Sequence, residues 1–160
     1  MYKWGTLPRI LLAMPQLVSV LEDGNDVIAQ VLEQVVKEKL MTGKKEEITS
    51  KAVNKIRNSI ETFMEGNMIP DWYRVEHLHG PIHEFRISLP KSSYLVRILF
   101  ALERWALVLL TGYLIKPSWY DDKHTTKIVD KEYEQKIFQA QAIYVEYLKK
   151  SKTRKYISLS

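Results

Sequence analysis

The chain has 160 residues, 46% of them hydrophobic and 27% charged, enough for one domain with its own core. It contains no cysteine, which excludes disulfides, cysteine-based zinc sites and cysteine nucleophiles. The formal net charge of +5 is uneven: residues 1–80 carry 10 basic and 11 acidic side chains, residues 81–160 carry 14 and 8. That excess suits a polyanion such as nucleic acid, or an acidic protein partner.

Residues 1–26 hold an apolar stretch, 10–21, interrupted by Pro15, Gln16 and Ser19, with no small-residue cleavage site after it. It does not read as a secretory signal. Thr6 and Pro8 suit a helix start, Pro15 breaks the segment, and a second short helix is expected to run to Leu21. Glu22-Asp23-Gly24-Asn25 is a turn. Asp26 reads as the N-cap of a clearer helix, with Val27, Ile28, Val31, Leu32, Val35 and Val36 at helical spacing and Gly43 at its end. A second amphipathic helix spans about 45–65, with Ile48, Ala52, Ile56, Ile60 and Phe63 on its stripe. The short joint makes the two an antiparallel hairpin. Residues 69–80 read as irregular, punctuated by Pro70-Asp71 and Gly80-Pro81.

Residues 82–116 hold three apolar, β-branched runs broken at Pro90-Lys91-Ser92-Ser93 and at Glu103-Arg104, the pattern of a β-meander. Residues 95–115 approach the length of a membrane span, but Arg97 and the Glu103-Arg104 pair are costly in a bilayer and better placed at a hairpin. A cytoplasmic protein with no membrane partner is expected. Strand alternation puts Glu84, Arg86 and Ser88 on one face and His83, Phe85, Ile87 and Leu89 on the other, which becomes the core side. Arg86 then points away from the helical hairpin, towards the exposed or ligand face. Arg97 meets it if the next strand has a suitable register. The bland account is that Glu84 and Glu103 neutralise these arginines in a cross-strand network. After Lys116 the chain is polar and basic to 129. A last helix is expected from about Asp130 to Lys150, then a basic, frayed tail over 151–160. His77, His79 and His83 lack any standard zinc spacing, so no metal or other cofactor is expected. The fold class is α+β: an N-terminal helical hairpin packed on a small antiparallel sheet, with a C-terminal helix.

The order of these pieces resembles the RelE/ParE toxin superfamily, in its HigB-like, phage-derived branch. Ile82-His83-Glu84-Phe85-Arg86 is similar to that branch's "ELR" strand. Val96-Arg97-Ile98-Leu99-Phe100-Ala101 resembles its "RILF" strand, and residues 108–116 its "VLLHGFIKK" strand. Residues 130–140 resemble the "EIEKA" helix that follows. Gly112 stands where the family has His, Pro117 replaces the second lysine, and 119–129 lack the "KTP" text. The likeness covers about 27–150, which makes 1–26 an N-terminal extension and 151–160 a tail.

The resemblance implies the toxin of a type II toxin–antitoxin pair: a metal-independent endoribonuclease that cuts mRNA on the ribosome and is held in check by a cognate antitoxin. In such a reaction the 2′-hydroxyl attacks the adjacent phosphorus and negative charge builds on the phosphorane. Arg86 and Arg97 are the implied clamp for that charge, and Lys116 the group beside the leaving 5′-oxygen. Lys91, Tyr120, Lys123, His124 and Lys127 are the implied RNA contacts. Tyr113, Tyr120, His124 and Lys127 are candidates for base, acid or base-stacking partner, with simple packing the blander account of Tyr113. Two alternatives stand beside this: a ParE-like inhibitor of DNA gyrase that acts by contact, and a non-catalytic, phage-derived adaptor that binds RNA or protein.

Overall fold

The computed structural model describes residues 16–37, 43–65, 73–89, 94–103, 106–116, 123–149 and 155–159, with 73–79 described by their backbone. Among the described residues, six strands form one mixed sheet in the order β2-β3-β4-β5-β1-β6, and three helices cover its two faces. The strands are β1 (Gln16–Leu21), β2 (Tyr73–His79), β3 (Ile82–Ser88), β4 (Leu95–Leu102), β5 (Ala106–Ile115) and β6 (Lys155–Ser158). The helices are α1 (Val27–Lys37), α2 (Lys45–Met64) and α3 (Lys123–Leu148).

The expected meander is present: β3, β4 and β5 pair antiparallel in sequence order. Glu103 sits at the β4–β5 turn, where its amide donates to the Ala106 carbonyl. The segment 69–80, expected to be irregular, contributes β2, which pairs antiparallel with β3 across the Gly80-Pro81 turn. Gly80 has a φ of +55°, a conformation that favours glycine there. The expected short helix ending at Leu21 is instead strand β1. It runs parallel to β5, so the sheet is mixed rather than antiparallel. The expected frayed tail contributes β6, antiparallel to β1. Both ends of the described chain are therefore held in one sheet. β5, paired on both edges, is buried at every position except Gly112.

The two helices form where the sequence predicts them, but strand β1 precedes them, so they are not the N-terminal element of the fold. Asp26 Oδ1 accepts from the Ala29 amide at 3.0 Å, an N-cap at the start of α1. Ser19 Oγ on β1 accepts from the Val27 amide at 2.9 Å, tying the helix start to the sheet. Glu46 and Glu47 lie in the first turn of α2, where their charge complements the helix dipole. The hairpin covers the expected core face. Phe63 of α2 meets Phe85 edge-on at 5.3 Å between ring centroids, and Phe85 stacks on Phe100 at 4.2 Å. α1 lies directly over Gly112 of β5. A β-carbon there would come within 2.7 Å of Val31 Cγ2 and 3.3 Å of the Arg97 carbonyl oxygen.

The opposite face is covered too, by α3, which starts at Lys123 rather than near Asp130. Val129, Ala140, Ile143 and Tyr144 turn inward from it. Among the described residues no helix is long and apolar enough to cross a membrane.

The contact at Gly112 sets a stability prediction. Gly112→Ala overpacks it and should cost about 1–3 kcal/mol in urea unfolding. In a Val31→Ala background the same substitution should cost clearly less, because the clashing methyl is gone.

Candidate functional site

Register brings Arg86 and Arg97 together: they are directly opposite each other on β3 and β4, and Arg97 is opposite Tyr113 on β5. On the other side Arg74 of β2 is opposite Arg86. Like charges facing each other across strands repel, so the arrangement needs a counterion. Glu84, two residues before Arg86 on the same face, supplies it. Its Oε1 accepts from Arg86 Nε at 2.7 Å and lies 3.8 Å from Arg97 Nε. One carboxylate therefore serves two guanidinium groups. The expected cross-strand network exists around Glu84. Glu103 instead accepts a hydrogen bond from the Tyr144 hydroxyl.

This face is roofed rather than open. Glu84 is fully buried, and the side chains of Arg97 and Arg86 keep 10% and 28% of their exposure. The expectation that Arg86 points away from the hairpin holds, but α3 fills the space beyond. The Arg97 guanidinium carbon lies 5.0 Å from the centre of the Tyr133 ring, a cation–π contact. Arg97 Nη1 also donates to the Tyr113 hydroxyl at 3.4 Å, a long hydrogen bond. Arg86 is hydrogen-bonded to the Tyr133 hydroxyl. Glu84 Oε2 and Arg97 Nε are buried with no hydrogen-bond partner among the described residues.

The electrostatics follow from this packing. Burial works against the charge of Arg97, but the Tyr113 hydrogen bond and the Glu84 carboxylate outweigh it and hold the guanidinium above its ordinary value. Burial pushes the Tyr113 hydroxyl far above the usual tyrosine range, partly offset by Arg97. Tyr113 thus stays protonated at neutral pH and cannot serve as a base; its work is to hold Arg97. Burial, then the Glu84 charge, raises Tyr133 as well, against the opposing pull of the two arginines.

The other expected site residues lie apart from this cluster. Lys116 follows β5 by one residue, with its ammonium 5.7 Å from the centre of the Tyr94 ring. Alternation from Tyr113 turns Lys116 to the opposite face, away from Arg97. Lys123, His124 and Lys127 are exposed in the first turns of α3, not in a loop. Lys123 and Lys127 stand at the positive end of a helix whose first turn has no acidic residue, so their charges add to the dipole. Tyr133 lies ten residues, or about 15 Å of helix, beyond Lys123. Lys91 and Tyr120 fall outside the described residues. His83 is on β3, opposite His77 of β2, and its Nδ1 is 3.1 Å from the Pro81 carbonyl oxygen.

Tyr133 is the member of the cluster that sequence reasoning missed. It reads as one of the apolar positions of the last helix, and no spacing signal links residue 133 to residue 97; only the fold of α3 across β4 brings them together. Comparison with protein-family models, with curated proteins and with solved structures finds no match for this chain.

Two predictions test the cluster. Glu84→Ala leaves two facing guanidinium groups without their counterion and should destabilise the protein by about 3–5 kcal/mol. Glu84→Leu combined with Arg97→Met should cost less than the two single changes added together in chemical denaturation, because Arg97, the more buried cation, is then not left without its counterion. The second concerns alkaline pH. The folded value of Tyr113 lies above its unfolded value of 10.0, so its contribution is complete below pH 10 and is lost as pH rises through the folded value. Stability should fall above pH 10, and Tyr113→Phe should flatten that fall. Absorbance at the tyrosinate band should show Tyr113 ionising only as the protein unfolds.

Proposed function

We propose that this chain is a toxin endoribonuclease that cleaves mRNA on the ribosome without a metal ion and is restrained by a cognate antitoxin. The observation that carries the reading is the facing pair Arg86 and Arg97, held in fixed register on adjacent strands within the segments that resemble the HigB-like branch. In the reaction, the ribose 2′-oxygen bonds to the adjacent phosphorus and the bond to the 5′-oxygen breaks. The 2′-hydroxyl proton leaves to a base and the 5′-oxygen gains a proton. Products are a 2′,3′-cyclic phosphate and a free 5′-hydroxyl. The chain's contribution is electrostatic: guanidinium groups fixed beforehand where the phosphorane gains charge.

The geometry divides the work between the two arginines. Arg86 is the more exposed and meets the phosphate. Arg97, held by Glu84, Tyr113 and Tyr133, is the positioning residue that keeps the clamp rigid. The Tyr133 hydroxyl, raised above its ordinary range, is suited to donate a hydrogen bond rather than to take a proton. The exposed cations Lys123 and Lys127, with His124 beside them, supply a second positive region for the RNA backbone. Lys116 does not join the clamp in this arrangement.

A second reading has its own support. Glu84 already neutralises part of the pair and α3 already covers it, as in a non-catalytic protein that binds RNA or protein through its basic surface. Translating ribosomes separate the two. Wild type should cut ribosome-bound message and arrest growth when expressed. Arg86→Ala should lower cleavage by about a hundredfold or more, in line with loss of one transition-state charge contact; because it also removes the hydrogen bond to the buried Glu84 carboxylate, the assay is run at a temperature where circular dichroism shows both proteins folded. Intact message with wild type would remove the endoribonuclease reading; salt-sensitive RNA binding without cleavage would favour the second.

A further inference from the structure

α3 turns one line of residues to the sheet and carries another, unlike it, on its outer side. Val129, Ala140, Ile143 and Tyr144 face inward. About half a helical turn away lie Glu134, Phe138, Ala142, Val145 and Lys149, all exposed. They recur at i, i+4, i+8, i+11 and i+15, a single stripe about 22 Å long. Phe138 is 72% exposed and Val145 46%, with Leu148 at 53% on the flank. Large apolar side chains gathered like this on one helix face mark a contact surface rather than a solvated one. Packing within the chain does not need them, because α3 already has its inward line.

The order of charges along the stripe identifies the occupant. It runs acidic, apolar, small, apolar, basic: Glu134, Phe138, Ala142, Val145, Lys149. Reversed in direction, it complements itself. An antiparallel two-fold passing between residues 141 and 142 places Phe138 opposite Val145 of a second copy and Glu134 opposite Lys149 of that copy. Both contacts occur twice, as an isologous interface requires. Ala142 lies beside the axis, where a small side chain lets two helices approach closely. A parallel pairing fails the same test, since it sets Glu134 against Glu134 and Lys149 against Lys149. The basic first half of α3, with Lys123, His124 and Lys127, extends past the overlap and stays exposed.

We infer that the outer face of α3 is a homodimer interface, in which two copies of this chain pack α3 against α3 antiparallel about Ala142. The inference is independent of the proposed activity. An interface one helix stripe wide is smaller than a standard protein interface, so the dimer is a weak one.

Sedimentation velocity over about 1 µM to about 1 mM spans the range in which such an interface titrates. Wild type should pass from monomer to dimer as concentration rises. Phe138→Glu should be monomeric throughout. Glu134→Lys alone, or Lys149→Glu alone, creates two like-charge contacts and should raise the dissociation constant about tenfold. The double variant Glu134→Lys/Lys149→Glu recreates both pairs with the signs exchanged and should return to within about threefold of wild type. All three positions are exposed, so melting temperatures should stay near wild type and loss of association cannot be taken for unfolding. A wild type that remains monomeric over the whole range overturns the inference. So does association untouched by Phe138→Glu, or a double variant no better than the single ones.

Discussion

A guanidinium group that must keep its charge beneath a helix sets the terms for one whole side of this molecule. Arg97 is paired in register with Arg86, and two facing cations on adjacent strands repel. Glu84 between them is therefore required, and its position on the roofed face makes it a fully buried carboxylate. Once three ionised groups lie under α3, the helix cannot close the face with aliphatic side chains alone. It uses tyrosines, whose rings exclude water and whose hydroxyls reach polar partners. Tyr133 covers Arg97 and bonds Arg86, and Tyr144 bonds Glu103. Tyr147 stacks on Tyr144 and meets Tyr156 of β6 edge-on. The hairpin side has no such constraint, and it is built from Phe63, Phe85, Phe100 and branched aliphatics.

The two sides meet in β5. A strand with helices on both faces and partners on both edges has to be apolar nearly throughout, and 106–115 reads that way. Its glycine is the exception that the packing uses, since α1 comes close enough at Gly112 to exclude a methyl group. Arg97 and Gly112 are thereby linked through the backbone. The Arg97 carbonyl forms part of the wall around Gly112, while the Arg97 side chain faces the other way, into the polar cluster.

Much of this was readable from the residues, for local reasons. Period-2 alternation in 82–89 separated Arg86 from Phe85, and helical periodicity with the Asp26 cap gave the hairpin. What was not readable depended on partners distant in sequence. Residues 16–21 are short and apolar, and only pairing with β5, some ninety residues later, decides for strand over helix. Residues 155–158 are too few and too polar to signal a strand; β1 provides their ladder. β2 lies between Pro70-Asp71 and Gly80-Pro81, whose punctuation reads as loop, and only its pairing with β3 makes it a strand. The start of α3 at Lys123 carries no sequence signal, because Lys123 and Lys127 oppose the helix dipole at the positions they occupy. Of the expected site, the Arg86–Arg97 pairing needed only the strand register. The contribution of Tyr133 and the separation of Lys116 needed the path of α3 and the end of β5.

The unequal exposure of the two arginines bears on what either can do. A phosphate reaching Arg97 would have to displace the Tyr133 ring and compete with Glu84 for the guanidinium, both at close range in a low-dielectric setting. A phosphate reaching Arg86 competes with the same carboxylate, but from the solvent side, where part of the guanidinium is already hydrated. In the proposed reading the pair is thus not a symmetric clamp. Arg97 is the fixed charge that, together with Tyr133, holds Glu84 and Arg86 in place, and Arg86 is the member able to exchange one anionic partner for another. Glu84 then has two opposed effects. It makes the cationic pair compatible with a folded sheet, and it lowers the affinity of that pair for any anion that does not compensate for the lost contact. A site built this way favours a ligand that brings several negative charges at once, because the remaining contacts can be made at exposed cations such as Lys123 and Lys127 while one phosphate displaces Glu84 from Arg86.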